Sequence, residues 1–113
     1  MMIWKQKNTQ ISILYRNKYL STRIMQTQYE LTERAIQILA IPEGKKALIL
    51  DIGCGSGLSG EVLSDHGYLW IGMDISLSML NIAKQNETKG DLFRSDIGQG
   101  IPFRPGTFDY AIR

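Results

Sequence analysis

Four things are scarce in this 113-residue chain, and each scarcity excludes something. There is one cysteine, Cys54, so no internal disulfide can form and a reducing compartment fits best. There is one histidine, His66, and the Cys and His residues show no metal-ligand spacing. No apolar run approaches the roughly 20 residues that span a bilayer, so no membrane association is expected. The stretch after Met1 is broken by Lys5, Lys7 and Gln10 and does not read as a secretory signal. Acidic residues are also missing before Glu30. That leaves a mitochondrial presequence open, although the amphipathic arginine pattern is lacking.

The composition that remains is globular, with 43% hydrophobic, 21% charged and 9% aromatic residues in a length that allows one domain. Net charge is +2 but unevenly placed. Residues 1–46 hold eight basic and three acidic residues, whereas residues 47–113 hold five and eight. A basic arm on an acidic core suits either an anionic partner or a solvated basic helix.

Three segments follow from the pattern. Residues 1–18 read as a poorly ordered basic arm. Residues 19–46 read as a helical segment from Tyr19 to Leu39, with Ile24, Leu31, Ala35, Ile36, Leu39 and Ala40 on its inner face, ended by Pro42-Glu43-Gly44. Residues 47–113 alternate strands and helices. Ala47–Ile52 is a nearly continuous apolar run, as in a parallel strand buried on both faces. A glycine-rich turn, a short helix over Leu58–His66 closed by Gly67, and a strand over Tyr68–Met73 come next. Ser76 caps a helix to about Gln85, Asp91–Ser95 is a third strand, and Thr107–Ile112 begins a fourth. This predicts an α/β fold with a parallel sheet, helices on both faces, and a ligand at the carboxyl ends of the strands where strand order reverses.

The chemistry sits in Asp51-Ile-Gly53-Cys54-Gly55-Ser56-Gly57. Glycines let the backbone turn tightly beside a ligand, and their amides together with the next helix N-terminus could face its polar groups. A P-loop needs lysine after the last glycine, and Leu58 stands there. A dinucleotide fingerprint can be traced through Gly55, Gly57 and Gly60, but it starts late relative to the strand end. It also sets the Asp51 carboxylate near a pyrophosphate. S-adenosylmethionine reverses that objection: it carries an ammonium and a sulfonium and no phosphate, so a strand-end carboxylate attracts it. Asp74, 17 positions beyond Gly57, could accept both ribose hydroxyls, with Ile75 beside it. Asp96 and Ile97 could take the adenine amino group and ring. The competing structural roles are helix caps for Asp74 and Asp96, a small buried filler for Cys54, a solvent-facing helix end for His66, and packing for Trp4 and Trp70. Arg23 or Arg34 is the expected partner of the cofactor carboxylate. The cofactor-binding set is therefore Asp51, Gly53, Cys54, Gly55, Gly57, Asp74, Ile75, Asp96 and Ile97, with no catalytic acid or base and no metal.

These residues resemble a known family. Leu50 to Gly60, Gly72-Met-Asp-Ile-Ser76 with Met79-Leu80, Gly90-Asp-Leu92, and above all Asp96-Ile-Gly-Gln-Gly-Ile-Pro-Phe-Arg-Pro-Gly-Thr-Phe-Asp109 are similar to the eukaryotic 18S rRNA (guanine-N7)-methyltransferases. Arg23, Gln28 and Thr32 to Ile36 resemble that family's N-terminal helix. The resemblance implies a class I methyltransferase fold, a Rossmann-like three-layer sandwich, here reaching only its fourth strand and led by a helical arm. It implies methylation of guanine N7 in small-subunit rRNA during ribosome biogenesis. It also implies a small zinc-binding activator subunit and a place in the nucleus and nucleolus, with the cytoplasm as the alternative. The family's N-terminal entry is not recognisable in residues 1–14. Its acceptor-binding half lies beyond Arg113, so a chain of this extent is expected to bind cofactor weakly and to transfer no methyl group alone. Two other readings stand beside this one: a non-catalytic short form that binds cofactor or the activator subunit, and a nicotinamide-dependent oxidoreductase.

Overall fold

The computed structural model describes residues 19–113; the expected basic arm over 1–18, with Trp4, lies outside the described residues. The elements run α1 (Tyr19–Leu39), β1 (Leu48–Ile52), α2 (Leu58–Asp65), β2 (Leu69–Asp74), α3 (Leu77–Gln85), β3 (Asp91–Arg94), a 3-10 turn (Ile97–Gln99) and β4 (Tyr110–Ile112). All strands are parallel and lie in the order β3-β2-β1-β4. Strand order reverses between β1 and β4, so the carboxyl ends of these two strands flank the crevice where open α/β sheets take ligands.

The core forms where β1 and β2 present alternate residues to the helices. Ile49 lies opposite Trp70 in register, and both are buried with Ala47, Leu58, Val62, Leu63 and Ile36. Trp70 is the centrepiece, and its indole N–H donates to Ser64 Oγ at 2.8 Å. A Cβ on Gly60 or on Gly90 would overlap the indole, so both glycines are bare to let helix and strand close on the ring. Trp70 is therefore a packing group, as its sequence context suggests.

Right-handed crossovers place α2 and α3 on one face, because β1 to β2 and β2 to β3 step in the same direction. Asn86, at the end of α3, donates from Nδ2 to Ser56 O beside the start of α2. The β3-to-β4 connection steps back the other way and so crosses the opposite face. Among the described residues that face carries a loop in place of a helix. Phe93 lies there, with Phe103 edge-on to it at 5.2 Å and Phe108 edge-on to Phe103 at 5.0 Å. The second covering layer of the sandwich is thus thin in this part of the chain.

One expectation needs correction. In α1 the inward stripe is Met25, Tyr29, Thr32 and Ile36, at spacings of four, three and four. Ile24 and Leu31 are 52% and 63% exposed. The polar Thr32 is tolerated inside because its hydroxyl donates to Gln28 O at 2.9 Å within the helix. Reading hydrophobicity alone sets the helix about one residue, some 100°, out of rotation.

Candidate functional site

Three cavities open at the carboxyl ends of the strands, and Gly53 lines all of them. The first, about 240 Å³, lies between α1 and the ends of β1 and β4, among Gln28, Leu31, Thr32, Asp51 and Arg113. The second, about 290 Å³, lies between the ends of β1, β2 and β3, among Met73, Asp74, Ile75, Asp96 and Ile97. The third, about 470 Å³, runs along the glycine turn to Ile24, Met25 and Met79. They form one crevice around the turn, at the topological switch point.

Asp51 ends up here because β1 carries it to the strand end on the same face as Ile49. It is 2% exposed, and Ser59 Oγ, in the first turn of α2, donates to it at 2.5 Å. Burial raises its pKa to about 6; the Ser59 hydrogen bond opposes the rise and the Asp74 charge adds to it. A buried carboxylate with one neutral donor and another carboxylate nearby is a site for a cation.

Asp74 closes β2. Its Oδ2 accepts from Gly55 N and its Oδ1 from Ser76 N, both at 2.8 Å. It thus clamps the glycine turn to the start of α3, so the structural role considered for it is real. Each carboxylate oxygen has a second lone pair, which leaves capacity for two ligand hydroxyls. Asp96 likewise caps the 3-10 turn, accepting from Gly98 N at 2.9 Å through Oδ1. Ile75 and Ile97 line the same cavity, and Ile75 is 58% exposed, an apolar surface available to a flat ring.

The turn itself corrects an expectation. The amides of Gly53 and Cys54 both donate to Met73 O, at 2.7 and 3.0 Å. The Gly55 amide goes to Asp74, and the Gly57 amide goes to Cys54 O at 3.0 Å. These four donors hold the turn to the sheet and are not aimed at a ligand. A pyrophosphate would lose the amide cradle that dinucleotide sites rely on. A ligand with cationic groups and ribose hydroxyls loses nothing. The residues present therefore fit S-adenosylmethionine.

The assigned residues divide accordingly. Asp51, Gly53, Cys54, Gly55, Asp74, Ile75, Asp96 and Ile97 all line the crevice. Gly57 lines none of the three cavities. It sits before α2 at φ +91°, and a Cβ there would overlap the Thr88 methyl, so its role is packing. Burial and the charges of Asp51 and Asp74 push the Cys54 thiol up to about 12, which makes it an inert filler beside Gly72. His66 Nε2 lies 2.6 Å from Glu33 Oε1, joining α2 to α1 away from the crevice. Arg34 is held by Gln37 at 3.3 Å, and neither it nor Arg23 lines the crevice.

Sequence reasoning missed several lining residues. Ile24 and Leu31, turned away from the core, supply apolar walls, and Gln28, Thr32, Ser59 and Met79 join them. Gln28 and Thr32 lie in the helix pattern, but only the tertiary fold shows which face meets the strand ends. Among the described residues no cluster of metal-ligating side chains occurs, and no helix is long and apolar enough to cross a membrane.

Comparisons with known proteins agree with this geometry. A family model described as a methyltransferase domain matches residues 49–113. An 18S rRNA (guanine-N(7))-methyltransferase of Mus musculus is 51% identical over 84% of this chain and 34% of its own length. A probable 18S rRNA (guanine-N(7))-methyltransferase of Dictyostelium discoideum is 55% identical, again over 84% of this chain and 34% of its own. Among solved structures, an S-adenosylmethionine-dependent methyltransferase of Mesorhizobium loti superposes with a TM-score of 0.57 at 28% identity, over 71% of this chain and 38% of that one. The chain thus spans about a third of the length of the curated relatives it matches.

Proposed function

The chain belongs to the methyltransferase-domain family, and from that premise we propose that it supplies the S-adenosylmethionine-binding region of an 18S rRNA (guanine-N7)-methyltransferase. The observation that carries the reading is the crevice itself. Three carboxylates, Asp51, Asp74 and Asp96, line it, while the neighbouring turn amides are committed to the protein. That donor and acceptor set favours a cationic nucleoside over a phosphorylated one.

In this reading Asp51 holds the ammonium of the methionine end, Asp74 the ribose hydroxyls, and Asp96 the adenine amino group between Ile75 and Ile97. When bound, the cofactor supplies an electrophilic methyl on a sulfonium. Guanine N7 has a lone pair and no proton to lose, so the protein need not provide a general base. These residues contribute by fixing position, and alignment of donor and acceptor supplies most of the acceleration.

The substrate assignment, small-subunit rRNA during ribosome biogenesis, rests on the names of the curated relatives. A zinc-binding activator subunit and a nuclear or nucleolar setting belong to the same proposal and rest on resemblance alone. Depleting the protein in its native cells and digesting purified 18S rRNA for mass spectrometry tests the substrate. The expected result is loss of N7-methylguanosine from that RNA. An unchanged level would remove the rRNA assignment while leaving cofactor binding to be judged separately.

A further inference from the structure

We propose that α1 is a gate on the cofactor crevice and that the Glu33–His66 pair is the latch that holds it shut. This rests on the cofactor reading above and adds to it a route by which the ligand enters and leaves. α1 walls two of the three cavities. Gln28, Leu31, Thr32 and Ala35 line the Asp51 cavity, and Ile24, Met25 and Gln28 line the one along the glycine turn. No α1 residue lines the cavity of Asp74 and Asp96. A ligand that fills all three is therefore covered by α1 at one end and clear of it at the other.

The attachment of α1 permits movement. Among the described residues its neighbouring element is α2, and Met25, Tyr29 and Ile36 seat it on the core cluster there. Apolar burial of this kind has no fixed direction. The segment that joins α1 to β1 leaves the helix at Ala40, with φ +50°, and turns again at Gly44, with φ +79°. A few residues at the end of an element are what absorbs the backbone rotation of a hinge. Across the α1–α2 seam the directional tie is polar: His66 Nε2, at the end of α2, lies 2.6 Å from Glu33 Oε1. Tyr68 lies parallel to the imidazole with ring centroids 6.2 Å apart, which fixes the ring on the body of the domain and leaves Glu33 to move with α1. The two side chains are 37% and 32% exposed, so water screens the pair and it adds little to global stability. A contact of that size still biases the balance between a seated and a lifted helix.

The test reads exchange rates. Surface plasmon resonance on the native protein, Glu33→Ala, His66→Ala and the double variant uses S-adenosylmethionine and 5′-methylthioadenosine, which keeps the adenosine and lacks the amino acid end. Each single variant is expected to raise both the association and the dissociation rate of S-adenosylmethionine by about three- to fivefold, the weight of a partly exposed pair. Kd should stay as in the native protein, because a gate changes both rates together. The double variant should be no faster than either single one. 5′-Methylthioadenosine should keep its native rates throughout, since α1 does not line its cavity. His66→Gln, which keeps an N–H donor for Glu33, should recover most of the native rate. Unchanged S-adenosylmethionine rates in both single variants overturn the latch. A weaker Kd with an unchanged association rate makes α1 a fixed wall, and equal acceleration of both ligands means general loosening; either overturns the gate and leaves the cofactor reading intact. Failure of the native protein to bind either ligand overturns the cofactor reading, and the gate with it.

Discussion

Asp51 is subject to two opposed demands. Folding carries its carboxyl from an ordinary value of 3.8 to about 6. Below 3.8 both states hold the proton and burial carries no charge penalty; as pH rises through 6 the folded state must keep a buried anion, at a cost on the order of 3 kcal/mol. Asp51→Asn should therefore stabilise the protein at pH 7.5 by roughly 1–3 kcal/mol, with the difference gone near pH 4, in urea melts across that range. The same change should weaken S-adenosylmethionine binding, and native affinity should fall as pH drops through 6. Destabilisation of the variant at pH 7.5 would mean that the buried anion has a partner and is no cation site. Cys54 shows the reverse case, a crevice-lining group that stays neutral. With its thiol pushed up to about 12, only on the order of one molecule in ten thousand is thiolate at pH 8, so alkylation should proceed at the rate of unfolding. Its neighbours in sequence announce a glycine turn, yet nothing local reveals that the turn amides point into the sheet. That follows from Met73 and Asp74, which reach the turn from another strand.

At the scale of elements, helix and strand positions were legible because each has a local cause. Ser76 caps α3 as its type and place suggest, accepting from Met79 N at 3.3 Å, and Gly67 at φ +84° follows α2. Replacing Ser76 with Ala should cost about 1 kcal/mol. The rotation of α1 was not legible, because it is set by which residues fit against α2 and the strand ends. Met25, Tyr29 and Thr32 fit there, and Ile24 and Leu31 are left to wall the crevice. The contact between α2 and β2 can be tested through Gly60. Alanine is the better helix former by about 1 kcal/mol, yet Gly60→Ala should destabilise by roughly 1–3 kcal/mol because its methyl overlaps the Trp70 indole. Trp70→Phe should relieve part of that loss, giving a coupling of about 1 kcal/mol in a double-mutant cycle of urea midpoints. Additive losses would mean that the ring does not set the spacing.

At the scale of the molecule, the parallel sheet and a crevice at the carboxyl ends of its strands were implied by the alternation of elements, whereas the reversal between β1 and β4 is seen in the strand pairing. Handedness then places two crossovers on one face and the third on the other. That the third crossover is a loop is legible in the sequence, where Gly98, Pro102, Pro105 and Gly106 punctuate it. Its run from Gly98 to Asp109 turns Phe103 and Phe108 toward the sheet and ends with Asp109, whose carboxylate accepts from Leu48 N at 2.9 Å and whose amide returns a bond to Leu48 O. That run therefore ties β4 to β1. The central claim is that the crevice selects a cationic nucleoside over a phosphorylated dinucleotide. Calorimetric titration of the protein at pH 7.5 with S-adenosylmethionine and, separately, with NAD tests it most directly. The account predicts saturable one-to-one binding of S-adenosylmethionine, lost in Asp74→Ala, and no binding of NAD. Binding of NAD in preference to S-adenosylmethionine would contradict it.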